Sequence, residues 1–158
     1  MSVKAVKSYL ESRGFSGRVK EFCTSSATVT LAALALGCEE AHIAKTLAFI
    51  LPQGLVLIVT AGDAKVDNAK FRALFGVKAK MLPFDQVQAR TGHIPGGVCP
   101  FCTPSDVQIV LDESLRRFST IYPAAGSANS AVCLSPQELA MLCPGSRWAD
   151  VCKGWQPC

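Results

Sequence analysis

Lys45 interrupts an apolar run, Ile43-Ala44-Lys45-Thr46-Leu47-Ala48-Phe49-Ile50-Leu51, and further along the chain reads Thr91-Gly92-His93-Ile94-Pro95-Gly96-Gly97-Val98-Cys99-Pro100-Phe101. A lysine inside a strand-like apolar stretch is costly unless its ammonium meets an anion or water. The second stretch holds three glycines and two prolines within ten residues. The prolines fix bends, and the glycines leave bare backbone whose N–H groups can approach a ligand closely. Together these residues suit a pocket for something negatively charged, or for a carbonyl that becomes so. A second glycine-bearing loop, Pro123-Ala124-Ala125-Gly126-Ser127-Ala128-Asn129, offers further amides and a hydroxyl.

Other residues invite chemistry less strongly. His93 lies in the first loop and could serve as a base, but no second histidine or placed carboxylate is evident beside it. Cys99 and Cys102 form a Cys-x-x-Cys pair, readable as a redox centre or half a zinc site. A zinc site needs two more ligands from the scattered Cys143, Cys152, Cys158 or a histidine. A thioredoxin-like pair opens a helix, whereas Pro100 and Pro104 bracket this one in a loop. The expectation is therefore no metal and no cofactor.

The elements that must position these groups follow from pattern. Val3 to Arg13 has helical spacing and stops at Gly14, and Arg18 to Phe22 reads as a short strand. Ser25 or Ser26 is placed to cap a helix running to Leu36 and ended by Gly37. Ala44 to Leu51 and Leu55 to Ala61, joined by Pro52-Gln53-Gly54, form a hairpin buried on both faces, with Lys45 opening its first strand. Asp67 caps a helix to Phe75, Val77 to Met81 makes a short strand, and Phe84 to Arg90 another short helix. Val107 to Leu111, Ser119 to Tyr122 and Ser130 to Leu134 read as strands. Ser135-Pro136-Gln137-Glu138 is a capping box that launches a helix to about Cys143. Helices and strands alternate irregularly, which predicts an α/β (α+β-like) fold: a mixed, largely antiparallel β-sheet packed by helices.

At 158 residues, with 49% hydrophobic and 18% charged residues, the chain fits one globular domain spanning 1–158. Its longest apolar runs are too short to cross a bilayer and are split by the Pro52 turn. The first residues enter an amphipathic pattern without an apolar signal region, so cytoplasmic residence and reduced thiols are expected. Cys23, Cys38, Cys133 and Cys143 lie among apolar residues, as small hydrophobes do. A net charge of +4 permits a polyanionic partner without demanding one. The densest basic stretch carries Lys65, Lys70, Arg72, Lys78 and Lys80 against Asp67 alone, and reads as a solvated face or a nucleic-acid contact.

Five blocks in order resemble the YbaK and prolyl-tRNA synthetase associated domain family. They are Thr24-Ser25-Ser26, Ile43 to Leu47, Thr91 to Phe101, Val110-Leu111-Asp112-Glu113-Ser114-Leu115, and Ala125-Gly126-Ser127. The resemblance runs through nearly the whole chain. It implies hydrolysis of an amino acid wrongly esterified to tRNA, usually tRNA for proline, with no metal and no protein nucleophile. It also implies that Lys45 is the most characteristic functional residue, and that Gly92 to Val98 with Gly126 and Ser127 line the aminoacyl pocket.

An aminoacyl ester is already activated, so hydrolysis mainly requires a held carbonyl, an admitted water and a stabilised oxyanion. Lys45 for charge and the amides of Gly96, Gly97 and Gly126 are the catalytic candidates. Thr46, Gly92, His93, Pro95 and Ser127 are the substrate-binding candidates. The acceptor end of an aminoacyl-tRNA is the implied partner and a prolyl-tRNA synthetase a further one; membrane and DNA are not expected. The sequence departs from many relatives at Cys102, where they carry glycine, and this leaves the turn's shape open. Two other readings stay open: a catalytically silent aminoacyl- or nucleotide-binding module of the same fold, and a Cys-x-x-Cys thiol-redox protein.

Overall fold

The structure is a computed structural model that describes residues 3–156. Helix α1 spans Val3–Ser12 and buries Val6 and Leu10, the apolar stripe that its spacing predicted. Strand β1 (Val19–Glu21) follows, then helix α2 (Val29–Leu36), whose N-cap is Thr28: its side chain accepts from the Leu31 amide. The helix thus starts later than a Ser25 or Ser26 cap would place it. The Ser26 amide instead bonds to the Ala128 carbonyl at 2.6 Å, which draws that segment into extended pairing.

The long hairpin is present as β2 (Ile43–Leu51) and β3 (Gly54–Ala61), antiparallel from Ala44 opposite Ala61 to Leu51 opposite Gly54. After it come β4 (Lys65–Val66), α3 (Asn68–Phe75), α4 (Val87–Thr91), β5 (Val107–Asp112), β6 (Tyr122–Pro123) and β7 (Ser130–Val132). Helix α5 (Pro136–Leu142), β8 (Arg147–Ala149) and β9 (Cys152–Lys153) close the described chain. The strand expected over 77–81 reduces to one bridge between Phe49 and Met81, and β4, β8 and β9 are too short to show an alternation. The Ser119 strand is likewise shorter and later, at β6. Two of the three helix caps read from sequence hold: Asp67 accepts from the Lys70 amide, and Ser135 and Glu138 complete a capping box worth about 1 kcal/mol or more.

The main sheet has the order β6-β2-β3-β5-β8, with β1-β7 and β4-β9 as separate two-stranded pairs. The sheet is mixed. The β2–β3 hairpin is its longest ladder and is antiparallel, while β2–β6, β3–β5 and β5–β8 are parallel, a more even balance than the sequence implied. Strand β3 lies at the centre and is buried on both faces, which accounts for its continuous apolar run. Phe49, Phe71 and Phe75 stack beneath the sheet with ring centroids 5.1 and 4.6 Å apart.

The outer edge of β2 positions the site. Strand β6 pairs only with Ile43 and Ala44. The 80–82 segment then covers the edge at Ala48 and Ile50, through Leu82 N–H to Ala48 O and Ile50 N–H to Lys80 O. Lys45, Thr46 and Leu47 lie in the gap between these two covers, where a cavity opens.

Candidate active site

A cavity of about 290 Å³ sits at that gap, lined among others by Ser26, Lys45, Thr46, Gly96, Tyr122 and Ser130. It brings together β2, the segment before α2, the 91–101 loop and the start of β6 and β7. Small residues, including Ala27, Ala32, Ala44 and Ala124, supply most of the remaining wall and leave the space open.

Lys45 is half-buried. Burial lowers the pKa of its ammonium, Cys152 and Asp63 act in the opposite sense, and Lys65 adds to the lowering. The Nζ lies 3.5 Å from the Gly62 carbonyl, at the outer limit of a hydrogen bond. Two hydroxyls in the same lining, Ser26 Oγ and Thr46 Oγ1, are buried without a hydrogen-bond partner. A buried unsatisfied hydroxyl costs about 1–3 kcal/mol, which a ligand group can relieve. Ser26 is only 8% exposed. It reads as a helix cap in the sequence; the signal that marks it here is its unpaired oxygen.

The two glycine loops pack on each other. A Cβ on Gly97 would meet the Ser127 amide nitrogen at 2.6 Å and the Gly126 carbonyl carbon at 2.8 Å, so glycine is required for this approach. The Gly97 amide itself donates to the Ile94 carbonyl at 3.0 Å. Gly97 is therefore not a free donor as expected from sequence, because its own turn occupies the N–H. Gly96, at φ +86°, lines the cavity, whereas Gly126, expected there from the resemblance, is not among the lining residues; neither amide makes a backbone hydrogen bond among the described residues. Ser127 Oγ bonds to Ser130 Oγ at 2.6 Å and so braces a wall residue rather than lining the cavity itself.

Gly92, His93 and Pro95 are not among the lining residues. Gly92 ends α4 in a left-handed cap, its amide donating to Gln88 O. His93 is fully buried, with Nε2 2.6 Å from the Phe101 carbonyl and Cys99 Sγ 3.5 Å away. Burial lowers the His93 pKa, favouring a neutral ring. It is a core histidine. His42 is also structural: it stacks on Phe118 at 4.1 Å and bonds to the Thr120 carbonyl.

Cys99 is fully buried, and burial pushes its thiol far up; burial also raises the thiol of Cys102. Neither has thiolate character. Cys102 takes a left-handed conformation at φ +56°, the one non-glycine residue at positive φ among those described. The turn thus keeps the shape glycine would favour despite the side chain. No group of three or more His, Cys, Asp or Glu is placed to hold a metal ion among the described residues, and Cys158 lies outside them. Cys23, expected among apolar neighbours, is exposed.

A mixed sheet whose partly uncovered strand β2 brings a lysine to a small cavity shared with bare main chain defines a class of compact binding or hydrolytic domain. The chain belongs to the aminoacyl-tRNA editing domain family, whose profile matches residues 24–142. The uncharacterized protein YwhH of Bacillus subtilis (strain 168) is 48% identical over 158 residues, covering 99% of this chain and 100% of that protein. EbsC of Enterococcus faecalis (strain ATCC 700802 / V583), named as a candidate Cys-tRNA(Pro)/Cys-tRNA(Cys) deacylase, is 30% identical over 112 residues, covering 70% of this chain and 68% of that one. A solved structure described as a candidate trans-editing enzyme for prolyl-tRNA synthetase superposes with a TM-score of 0.87 at 31% identity, covering 96% of this chain and 97% of the other. No helix among the described residues is long and apolar enough to cross a membrane.

Proposed function

We propose that this chain, acting as one free-standing editing unit in the cytoplasm, hydrolyses the ester of misacylated tRNA, with tRNA for proline as the favoured carrier. The observation that carries the reading is the shared cavity: Lys45, the Gly96 backbone and the unpaired Ser26 and Thr46 hydroxyls all line one space of about 290 Å³. That volume suits an aminoacyl group and a few ribose atoms rather than a large ligand.

In this reading the ester carbonyl faces the amides of Gly96 and Gly126, and a water adds to it. The oxyanion is stabilised by those donors, each worth about 3 kcal/mol when well placed, and by the positive charge of Lys45. Collapse breaks the bond to the ribose oxygen, which leaves with a proton that originated on the water, and free amino acid departs. Ser26 and Thr46 hold polar groups of the aminoacyl moiety. A lysine acting as base would need its pKa lowered by roughly 3 units, which a nearby phosphate opposes, so charge stabilisation is the better role.

Selectivity follows from energetics. A synthetase pocket separates amino acids differing by one methylene by only about 1–3 kcal/mol, so a second hydrolytic sieve restores accuracy. Lys65, Arg72, Lys78 and Lys80 are exposed and available to tRNA phosphates, whereas Lys70 is taken up by Asp150 and the Cys152 carbonyl. The test is release of amino acid from a panel of mischarged tRNAs by the wild-type chain and by Lys45→Ala. The reading requires hydrolysis of at least one ester, lost on substitution and weakened by salt. A wild-type protein silent on every ester would instead favour a binding module.

A further inference from the structure

The turn leaving β3, Gly62-Asp63, lies against the ammonium of Lys45, and its construction is unusually constrained. A Cβ on Gly62 would sit 2.0 Å from the Glu40 carbonyl oxygen and 2.8 Å from Val29 Cγ1. Only glycine lets the turn come this close, and Val29 is itself part of the cavity wall. The next residue, Asp63, is gripped by a two-pronged contact from Arg117, with Nη2 to Oδ1 at 2.6 Å and Nη1 to Oδ2 at 3.0 Å. Arg117 is in turn immobilised: Nε donates to the Ser114 carbonyl at 2.9 Å, Nη1 reaches the Trp155 carbonyl at 3.4 Å, and the guanidinium packs over the rings of Phe118 and Trp155. Nothing in the amino-acid pattern drew attention to these residues.

We infer that Asp63 and Arg117 are positioning residues for Lys45: Arg117 grips the Asp63 carboxylate and so fixes the turn whose Gly62 carbonyl, 3.5 Å from the ammonium, marks where Lys45 rests. This rests on the reading that Lys45 acts in ester hydrolysis. The charges around Lys45 support it. Burial works against its charged form, and Lys65 on β4 adds to that; Cys152 on β9 is kept a neutral thiol by its own burial. Arg117 directs its charge at Asp63, and Glu40 presents its main-chain carbonyl to Gly62. Asp63 is the one carboxylate among the groups that perturb Lys45, and Lys45 acts reciprocally on Asp63, after the larger effect of Arg117. Asp63 is partly exposed, so water screens its influence, and the effect is smaller than that of Lys45 itself.

The test compares Asp63→Asn, Arg117→Lys and Lys45→Ala with the wild-type chain. Two quantities are followed: deacylation between about pH 6 and 9.5, and the side-chain NMR titration of isotope-labelled lysine, with the Lys45 signal identified by its loss in Lys45→Ala. For Asp63→Asn the Lys45 midpoint moves down, and kcat at the alkaline end falls about tenfold while the acid end changes little. Arg117→Lys keeps the charge but loses the fork, and gives a smaller shift in the same direction. Superimposable titrations and pH profiles for Asp63→Asn and wild type overturn the inference even if Lys45→Ala is inactive. Full activity of Lys45→Ala would instead overturn the hydrolytic reading, and the NMR titration would still decide whether the Asp63–Arg117 clamp governs the ammonium.

Discussion

The cavity beside Lys45 and the cavity beside Cys102 are close in size, about 290 and 270 Å³. Both are bounded by the loop between α4 and β5, and both lie near side chains capable of chemistry. Around Lys45 several polar atoms are unsatisfied: two hydroxyls lack partners, and the loop amide of Gly96 makes no backbone bond among the described residues. Around Cys102 the candidates are engaged or sealed. His93 Nε2 is tied to the Phe101 carbonyl while its Nδ1 is buried without a partner and away from either cavity wall, Cys99 is fully buried beside it, and the Cys102 thiol points to the Ala5 carbonyl at 3.6 Å. Cys99 and His93 resemble a nucleophile–base pair by distance alone. Burial shifts both the wrong way, raising the thiol and lowering the imidazole, so proximity without access or charge makes packing rather than a reaction.

The sharpest way to break this contrast is Lys45→Ala, expected to lower deacylation by about a hundredfold or more with an unchanged circular dichroism spectrum. Activity within a few-fold of wild type would erase the distinction between the two cavities. Next in size is Gly97→Ala, whose methyl must push the two glycine loops apart. A loss of about 1–3 kcal/mol in stability is expected, with reduced activity in the fraction that remains folded.

The buried Cys99 and His93, packed near the other cavity without lining it, should respond in stability and not in rate. Cys99→Ala is expected to cost about 1–2 kcal/mol by denaturant titration, with kcat/KM within about twofold of wild type. His93 adds a pH signature. Its folded pKa lies below the ordinary 6.5, so above that value the ring is neutral in both states and its contribution is fully present. As pH falls below 6.5 the unfolded chain binds the proton first, and stability declines toward the lowered folded pKa. His93→Gln should flatten that slope. The smallest effect belongs to Cys102→Gly, expected to raise stability by no more than about 1 kcal/mol through relief of the left-handed backbone.

Legibility in the sequence tracked how local the physics was. The hairpin, the Asp67 cap and the Ser135 capping box are written in adjacent residues, and all three appear within a residue of their expected bounds. Strands β4, β8 and β9 are two or three residues long and exist because distant partners pair with them, so no window of sequence announces them. The same division holds at the site. Lys45 and Gly96 stand out by residue type, and the structure puts both in the lining of one cavity. Gly92 and His93 share the same motif, but one caps a helix through Gln88 and the other is buried against Cys99 and Phe101, so residue type alone does not separate lining from support. Ser26 and Asp63 lay hidden because their importance depends on what is missing from one oxygen and on an arginine far along the chain.

The central claim is the location of the aminoacyl group. A crystal structure with a non-hydrolysable 3′-aminoacyl-adenosine analogue tests it most directly. The account predicts the acyl carbonyl between Lys45 and the Gly96 amide, with Ser26 or Thr46 newly hydrogen-bonded. Density beside Cys102 instead, or an analogue bound with the Lys45 wall left untouched, would contradict it.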